Sequence, residues 1–285
     1  MKKITIITLI LSITSLHIKA QEFNTKETRF TAHNKGKIYL YWGGNRGNYS
    51  RSDITFKGND YKFTVKNAVA RDLPKGYHID YINPTRLTIP QTNFRLGYFI
   101  TDHYNISFGI DHMKYVVQLN QIASITGTIN LPETAAGSIY NGTYSNDPVP
   151  LTEDFLTFEH TDGLNYLNLE ITRVDDISGL FKIRNTDIFQ INITEAAGSG
   201  ILYPKTLASV LGSERNDEFH ISGYGVSAKA GLNFTFFKHF FIQTELKGGY
   251  INMYDIRTTQ SSSDSAKQDF WFLERVIALG GIFKL

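Results

Sequence analysis

Apolar residues alternate with small or polar residues in segments of about ten residues along most of the chain. In residues 93–101, one parity holds Phe94, Leu96, Tyr98 and Ile100. The other parity holds Asn93, Arg95, Gly97 and Thr101, with Phe99 as the exception. A two-residue period places successive side chains on opposite faces of a β-strand. The pattern therefore predicts an all-β chain whose strands each have one apolar and one polar face.

Eight segments carry this alternation. They span residues 37–49, 93–101, 104–117, 163–173, 186–195, 220–236, 240–250 and 269–285. Very short polar turns join the second segment to the third and the sixth to the seventh, and a moderate connection around 174–182 joins the fourth to the fifth. The other four connections, residues 50–87, 118–162, 196–218 and 252–268, are predicted to be long loops.

Short turns at one end and long loops at the other are typical of outer-membrane barrels, in which apolar side chains contact lipid. A soluble lipocalin-like barrel also has eight strands, but its apolar side chains point inward and its loop lengths need not alternate. The alternation of loop lengths favours the membrane barrel over the soluble one.

The N-terminus has the pattern of a secretory signal peptide. Lys2 and Lys3 precede an apolar run over residues 4–16, and Ala20 provides a small residue before the cut. We expect residues 1–20 to be a signal peptide, 21–36 an N-terminal periplasmic segment and 37–285 the outer-membrane β-barrel. The alternative, a permanent membrane anchor, needs a longer apolar run.

The composition excludes several classes of site. Lys and Arg number 29 against 27 Asp and Glu, which is no basic footprint for nucleic acid. The chain has no Cys, so disulfides and thiolate metal sites are excluded. The neighbours Asp111-His112 and Glu159-His160 could meet at the rim. Adjacent residues of a strand point to opposite faces, however, so we expect neither a metal site nor a cofactor there.

The signal peptide, the strand pattern and the ending Ile282-Phe283-Lys284-Leu285 resemble the small outer-membrane barrels of the OmpA, OmpX and OmpW type, especially unassigned barrels of Bacteroidetes-like bacteria. The resemblance implies an eight-stranded antiparallel up-and-down transmembrane β-barrel with long extracellular loops in a Gram-negative outer membrane. It also implies a lipid bilayer and lipopolysaccharide as surroundings. The family's last strand ends in an aromatic residue that the barrel-assembly machinery reads, which assigns that role here to Phe283 and Leu285.

The predicted lumen contains charges of both signs. They are Arg95, Asp111, Glu170, Lys229, Glu245, Lys247 and Glu274. An eight-stranded barrel is just wide enough for side chains to fill its interior, and buried charges are tolerated when paired. We therefore expect a charge-plugged lumen in a non-enzymatic barrel. Its surface loops, which include a hairpin at residues 53–65, would carry structural or binding roles and could add a strand to an extracellular partner. The alternative is a porin-like, narrow channel for ions or small molecules.

A further alternative is a lipid A-modifying enzyme. Some outer-membrane barrels of this size are lipid A deacylases, which use a His-x-Ser pair on the outward face, helped by a carboxylate. Here the matching residues are His220 and Ser222, with Asp217 and Glu218 nearby. The match covers three residues and is common by chance, so we favour the alternative of a histidine at the membrane interface beside a small residue.

Overall fold

The computed structural model of the protein describes residues 29–76, 78–81 and 90–284. The predicted signal peptide, residues 21–28 of the predicted periplasmic segment and Leu285 lie outside the described residues. Within the described ranges, no helix is both long enough and apolar enough to cross a membrane.

The described residues form fifteen strands and four short 3₁₀ helices. In chain order the strands are β1 (Lys37–Tyr49), β2 (Ser52–Lys57), β3 (Tyr61–Ala68), β4 (Ala70–Arg71), β5 (Thr92–Phe99), β6 (Tyr104–Val117), β7 (Ile122–Ile129), β8 (Gly142–Pro150), β9 (Leu156–Asp176), β10 (Phe189–Leu202), β11 (Lys205–Val210), β12 (Asn216–Phe219), β13 (Gly223–Phe236), β14 (Phe240–Arg257) and β15 (Ser265–Lys284). The 3₁₀ helices are Phe30–Ala32, Ile79–Tyr81, Ala136–Tyr140 and Ser178–Phe181.

Eight of these strands form a closed ring. Its order is β1, β5, β6, β9, β10, β13, β14 and β15, and β15 pairs with β1 to close it. All the ring pairings are antiparallel, and successive members of the ring are successive along the chain. The predicted eight-stranded antiparallel up-and-down barrel is therefore confirmed.

The two faces of the ring differ as the alternation predicts. The outward face is apolar, with exposed fractions between 42% and 66% for Leu40, Leu96, Ile106, Phe108, Leu169, Ile171, Ile277 and Leu279. The intervening residues, charged ones included, are buried in the lumen. Phe99, the exception to the alternation, does point inward and is 4% exposed.

The prediction of long loops is not confirmed, because most of those residues continue the sheet. Strands β2, β3, β7 and β8 extend the sheet beyond the ring at the end opposite the short turns, which we call the outer end. They continue from β15 in the order β15-β2-β3-β7-β8. We call these added strands, together with β11 and β12, the outer extension. Strand β11 pairs with β9 and with β12. The hairpin expected at residues 53–65 is present as β2 and β3. The serines and threonines of β3, β7 and β8 are partly or fully exposed.

A large apolar core fills the interior at this outer end, and we call it the outer core. It contains Ile54, Phe56, Phe63, Val65, Met113, Tyr115, Phe155, Phe158, Ile251 and Phe270, among others. The ring of Phe56 stacks on Phe63 at 5.3 Å between centroids and meets Phe158 edge-on at 5.4 Å. Because this core joins the added strands to β6, β9 and β15, the outer extension packs as one body with the barrel.

Replacing Phe56 tests this packing. We expect Phe56→Ala to lower the free energy of unfolding by about 3–5 kcal/mol, because it removes a fully buried ring and leaves a cavity. The matched control is Ile122→Ala, whose side chain is 74% exposed on β7 and should change stability by less than about 0.5 kcal/mol. Urea unfolding of the purified protein in detergent measures both variants. Equal effects would contradict a packed outer core.

Candidate functional site in the barrel lumen

The structure brings all seven predicted lumen charges to one level of the barrel interior. They are Arg95 on β5, Asp111 on β6, Glu170 on β9, Lys229 on β13, Glu245 and Lys247 on β14, and Glu274 on β15. Each lies on the inward parity of its strand, and each is at most 7% exposed. Because strand pairing fixes their levels, these residues meet although they are far apart in sequence.

Glu170 is the centre of the charge cluster. Its Oε2 lies 3.0 Å from Nη1 of Arg95 and 2.9 Å from Nζ of Lys229. Its Oε1 lies 2.8 Å from Nζ of Lys247. Lys229 and Lys247 are directly opposite each other on β13 and β14, where like charges repel. Glu170 is the carboxylate that both ammonium groups share, and it offsets part of that repulsion.

Two further carboxylates complete the pairing of the cations. Asp111 lies 3.2 Å from Nη2 of Arg95 and also pairs with Lys247. Glu245 lies 2.7 Å from Nζ of Lys229. Buried ion pairs offset their desolvation only when hydrogen bonds satisfy the remaining donors and acceptors.

Uncharged groups supply those hydrogen bonds. The Tyr41 hydroxyl donates to Glu245 at 3.0 Å and accepts from Nε of Arg95 at 3.0 Å. The Asn168 amide donates to Asp111 at 2.9 Å, and its oxygen accepts from Arg95 at 3.0 Å. A Cβ at Gly109 would lie 2.5 Å from the Arg95 guanidinium, so this glycine leaves the space that the guanidinium fills.

Glu274 differs from the other members of the charge cluster. It accepts a hydrogen bond from Nδ2 of Asn93 at 3.2 Å, and its second oxygen has no hydrogen-bond partner among the described residues. It also makes no ion pair in that part of the chain. The cluster has four carboxylates and three cations, and Glu274 is the carboxylate left without a cation.

The lumen differs on the two sides of the charge cluster. Outward of it, the lumen-facing parity of β6 changes from Asp111 to Met113, Tyr115 and Val117, which belong to the outer core. On the other side is a cavity of about 50 Å³, bordered by amide, hydroxyl, aromatic and charged side chains. Sequence reasoning missed the outer core, although the apolar run on the polar parity of β6 was a signal for it.

The segment before β1 lies across the end of the lumen that bears the short turns. Nζ of Lys37 donates to the carbonyl of Phe30 at 2.8 Å and lies 3.8 Å from the Phe30 ring centroid. The Thr31 hydroxyl lies 2.6 Å from that of Thr186, and Gln190 donates to the Thr31 carbonyl at 3.4 Å. These contacts hold the described part of the N-terminal segment as a cap, which the sequence alone did not indicate.

The weak catalytic candidates His220 and Ser222 do not share the outward face. His220 does have a carboxylate partner, since its Nε2 lies 2.8 Å from Asp255. Ser222, however, is fully buried, and its hydroxyl donates to the backbone carbonyl of His220 at 3.3 Å. The imidazole is therefore paired with Asp255, and the serine is engaged with the backbone.

The two acid-imidazole neighbours do not converge either. Asp111 belongs to the charge cluster, and Nδ1 of His112 lies 2.7 Å from Oδ1 of Asn165. Glu159 faces Arg215 at 3.7 Å, and His160 lies in the outer core. In the described ranges, no three potential ligands of the His, Cys, Asp or Glu type come together for a metal ion.

His160 is a buried base in the outer extension. Its Nδ1 lies 3.0 Å from the Thr206 hydroxyl, and its ring packs 5.1 Å from Phe158 and 5.7 Å from Tyr115. Burial lowers the pKa of His160 to about 3, against a smaller opposite effect of its hydrogen bond with Gln268. The imidazole is therefore neutral in the folded protein at every ordinary pH.

The lumen and the fold together define a closed barrel with an apolar exterior and an ion-paired interior. No family model matches the chain, and no curated protein does either. Solved structures similar to it include the outer membrane protein OprG from Pseudomonas aeruginosa, at 10% identity over 90% of this chain and 99% of that one, with a TM-score of 0.38.

Two other solved structures are similar to the chain. One is Ail, the attachment invasion locus protein of Yersinia pestis, at 12% identity over 87% of this chain and 99% of that one, with a TM-score of 0.31. The other is Neisserial surface protein A, at 8% identity over 88% and 98%, with a TM-score of 0.32.

The unequal roles of two lumen glutamates can be measured. We expect Glu170→Gln to lower the free energy of unfolding by about 3–5 kcal/mol, because it removes the partner of three buried cations. Glu274→Gln, the same chemical change, should be neutral or stabilising, because it removes the carboxylate that lacks a cation. Urea unfolding in detergent provides both values, and a larger loss for Glu274→Gln would show that the charge balance is wrongly assigned.

Because His160 is buried in its neutral form, we expect acid to lower the stability of the folded protein. Its pKa is 6.5 when unfolded and about 3 when folded, so the unfolded chain binds the extra proton between these values. Stability should fall as the pH drops below about 6.5, approaching about 1.4 kcal/mol per pH unit. His160→Asn should flatten this slope in urea unfolding at a series of pH values. His220→Asn, at a partly exposed imidazole, is the control, and an unchanged slope in His160→Asn would refute the assignment.

Proposed function

We propose that the chain is an outer-membrane β-barrel that is closed to ions and small molecules and presents a preformed extracellular sheet as its working surface. The observation that carries the proposal is the combination of an apolar exterior with a lumen filled by ion pairs and an apolar core. A soluble lipocalin-like barrel would have these faces reversed.

The exterior supports the membrane location. Soluble monomers rarely expose large continuous apolar surfaces, whereas the ring exposes leucine, isoleucine and phenylalanine side chains around its circumference. Aromatic side chains mark both ends of this belt, as expected where a barrel meets the two membrane interfaces. They are Tyr104, Phe237, Phe240 and Phe283 near the short turns, and Tyr224, Tyr250 and Trp271 toward the outer extension.

Targeting belongs to the same proposal. Residues 1–20 would direct export, and the outer leaflet would surround the barrel with lipopolysaccharide. Phe283, which is exposed on the outward face of the last strand, would be read by the barrel-assembly machinery together with Leu285. The N-terminal cap and the short turns would then face the periplasm, and the outer extension would face the cell exterior.

The filled lumen argues against a channel. An ion moving along the barrel axis would pass the N-terminal cap, then a cluster joined by six ion pairs around Arg95, Lys229 and Lys247, and then the apolar outer core. Breaking such a cluster leaves buried charges without partners, which is costly. We therefore propose no conduction and no catalysis at His220, and we place function on the extracellular surface.

The edge of the outer extension argues against strand addition by a partner. Strand β8 is the last strand of the extended sheet. It contains Pro148 and Pro150, which lack the backbone N–H that a partner strand needs, and Asn146 has a φ of 65° beside a register shift. An extracellular partner would therefore bind side chains of the sheet face. One such place is a cleft of about 280 Å³ between β2, β3, β14 and β15, which includes the Asp53–Lys66 ion pair.

Two measurements on the full chain test this proposal. The protein should remain with outer membranes after a carbonate wash and need detergent for extraction, because the belt must stay out of water. In planar bilayers it should give no unitary conductance, because no water path crosses the charge cluster. Release of the folded protein in detergent-free buffer would refute the membrane location, and stable conductance steps would refute the closed lumen.

A further inference from the structure

Two arginines face each other on the outside of the barrel. Arg46 on β1 and Arg275 on β15 are directly opposite in the register that closes the ring. Their neighbours Asn45 and Glu274 are buried in the lumen. Because adjacent residues of a strand point to opposite faces, both arginine side chains point outward from the barrel. Like charges directly opposite each other on paired strands are destabilising.

The interior of the same barrel shows how such a pair is compensated. Lys229 and Lys247 are also directly opposite, and Glu170 lies within 2.9 Å of both. The outward arginine pair has no equivalent, because neither arginine makes an ion pair among the described residues. The two arginines are therefore placed like the two lysines inside the barrel, but among the described residues no carboxylate takes the place that Glu170 takes there.

Arg46 and Arg275 use only some of their N–H donors in hydrogen bonds to the chain. Arg46 uses Nη1, which donates to the Asn45 carbonyl at 2.6 Å and to the Tyr81 hydroxyl at 3.1 Å. Arg275 uses Nη2, which donates weakly to Asn48 at 3.4 Å. A guanidinium has five N–H donors, so most of those on each arginine are available.

Asp72, a carboxylate near Arg46, is already engaged. Asp72, whose charge interacts with Arg46, accepts hydrogen bonds from the Gly47 and Leu73 N–H groups at 2.8 and 3.0 Å and from the Gln91 amide. It makes no ion pair with either arginine, so it does not take the place that Glu170 takes inside.

The position of the two arginines along the barrel axis places them near one edge of the apolar belt. Along β15 the outward face continues toward the periplasmic end as Ile277, Leu279 and Phe283. Phe283 lies eight positions after Arg275, which is roughly 20 Å along the barrel axis for a tilted strand. The apolar belt of such barrels is about 25 Å tall, so the arginines lie just inside its outer boundary and can extend to the headgroups.

We propose that Arg46 and Arg275 together bind the phosphate group of an anionic lipid in the outer leaflet. Two guanidinium groups match the oxygens of one phosphate with paired hydrogen bonds. The exposed side chains of Leu273 and Ile277 flank Arg275 and would contact the acyl chains, which favours a lipid over a free anion. The inference rests on the proposed membrane location and adds a specific lipid site to it.

The test uses the full-length protein in nanodiscs of phosphatidylcholine with added phosphatidylglycerol or purified lipid A, with bound lipid counted by native mass spectrometry. We expect the double variant Arg46→Gln/Arg275→Gln to bind the anionic lipids at least about tenfold more weakly, since charge-assisted hydrogen bonds are lost. Binding of phosphatidylcholine should not change. The double variant should fold normally, because it loses a repulsive pair.

Arg173→Gln is the matched control. Arg173 is also an exposed arginine of the ring, but it is paired with Asp175 at 2.6 Å near the periplasmic end. If Arg173→Gln and the double variant lose anionic lipid equally, the proposed site is refuted. If inorganic phosphate displaces the lipid at equal concentration, the site binds free anions and the lipid proposal fails. Failure of the wild type to enter nanodiscs would instead refute the membrane location itself.

Discussion

The pairing of β1 with β15 is the constraint on which the rest of the structure depends. Thirteen successive pairs, from Lys37 with Lys284 to Tyr49 with Phe272, close the sheet on itself. Closure removes the unpaired strand edges, which hydrocarbon does not tolerate, and it separates an inside from an outside. Once the inside exists, every second residue of eight strands must share a volume only wide enough for side chains.

The narrow lumen explains why its side chains form layers of different polarity along the barrel axis. Charges can be buried only where opposite charges arrive at the same height, and strand pairing brings Glu170 between Lys229 and Lys247. Above this level no such complement exists, and aromatic and aliphatic residues fill the space. Below it, hydrogen-bonding side chains and the N-terminal cap close the barrel. Each layer reduces the space that a water path would need.

The sequence predicted what depends on local alternation. The bounds of β1 and the short turn between β5 and β6 follow from the pattern within one stretch of sequence. In the outer extension only the β2–β3 hairpin was predicted, from its own strand–turn–strand pattern. Strands β7 and β8 could not be predicted in the same way, because they are short and the pairing of β3 with β7 depends on the outer core. The pairing of Glu170 with three cations and the isolation of Glu274 depend on the register between strands, which one sequence does not provide.

The outer extension also determines what kind of recognition the protein can perform. Mobile loops lose conformational entropy when they bind, whereas a sheet packed on its own aromatic core has already lost it on folding. Because prolines and a bulge block the free edge of β8, a partner has little backbone to pair with. Specificity must then come from the side chains on the sheet face, such as those of Asp53 and Lys66. In the proposed membrane location, a rigid barrel with a closed lumen would hold those side chains at a fixed height above the bilayer, where a partner could reach them.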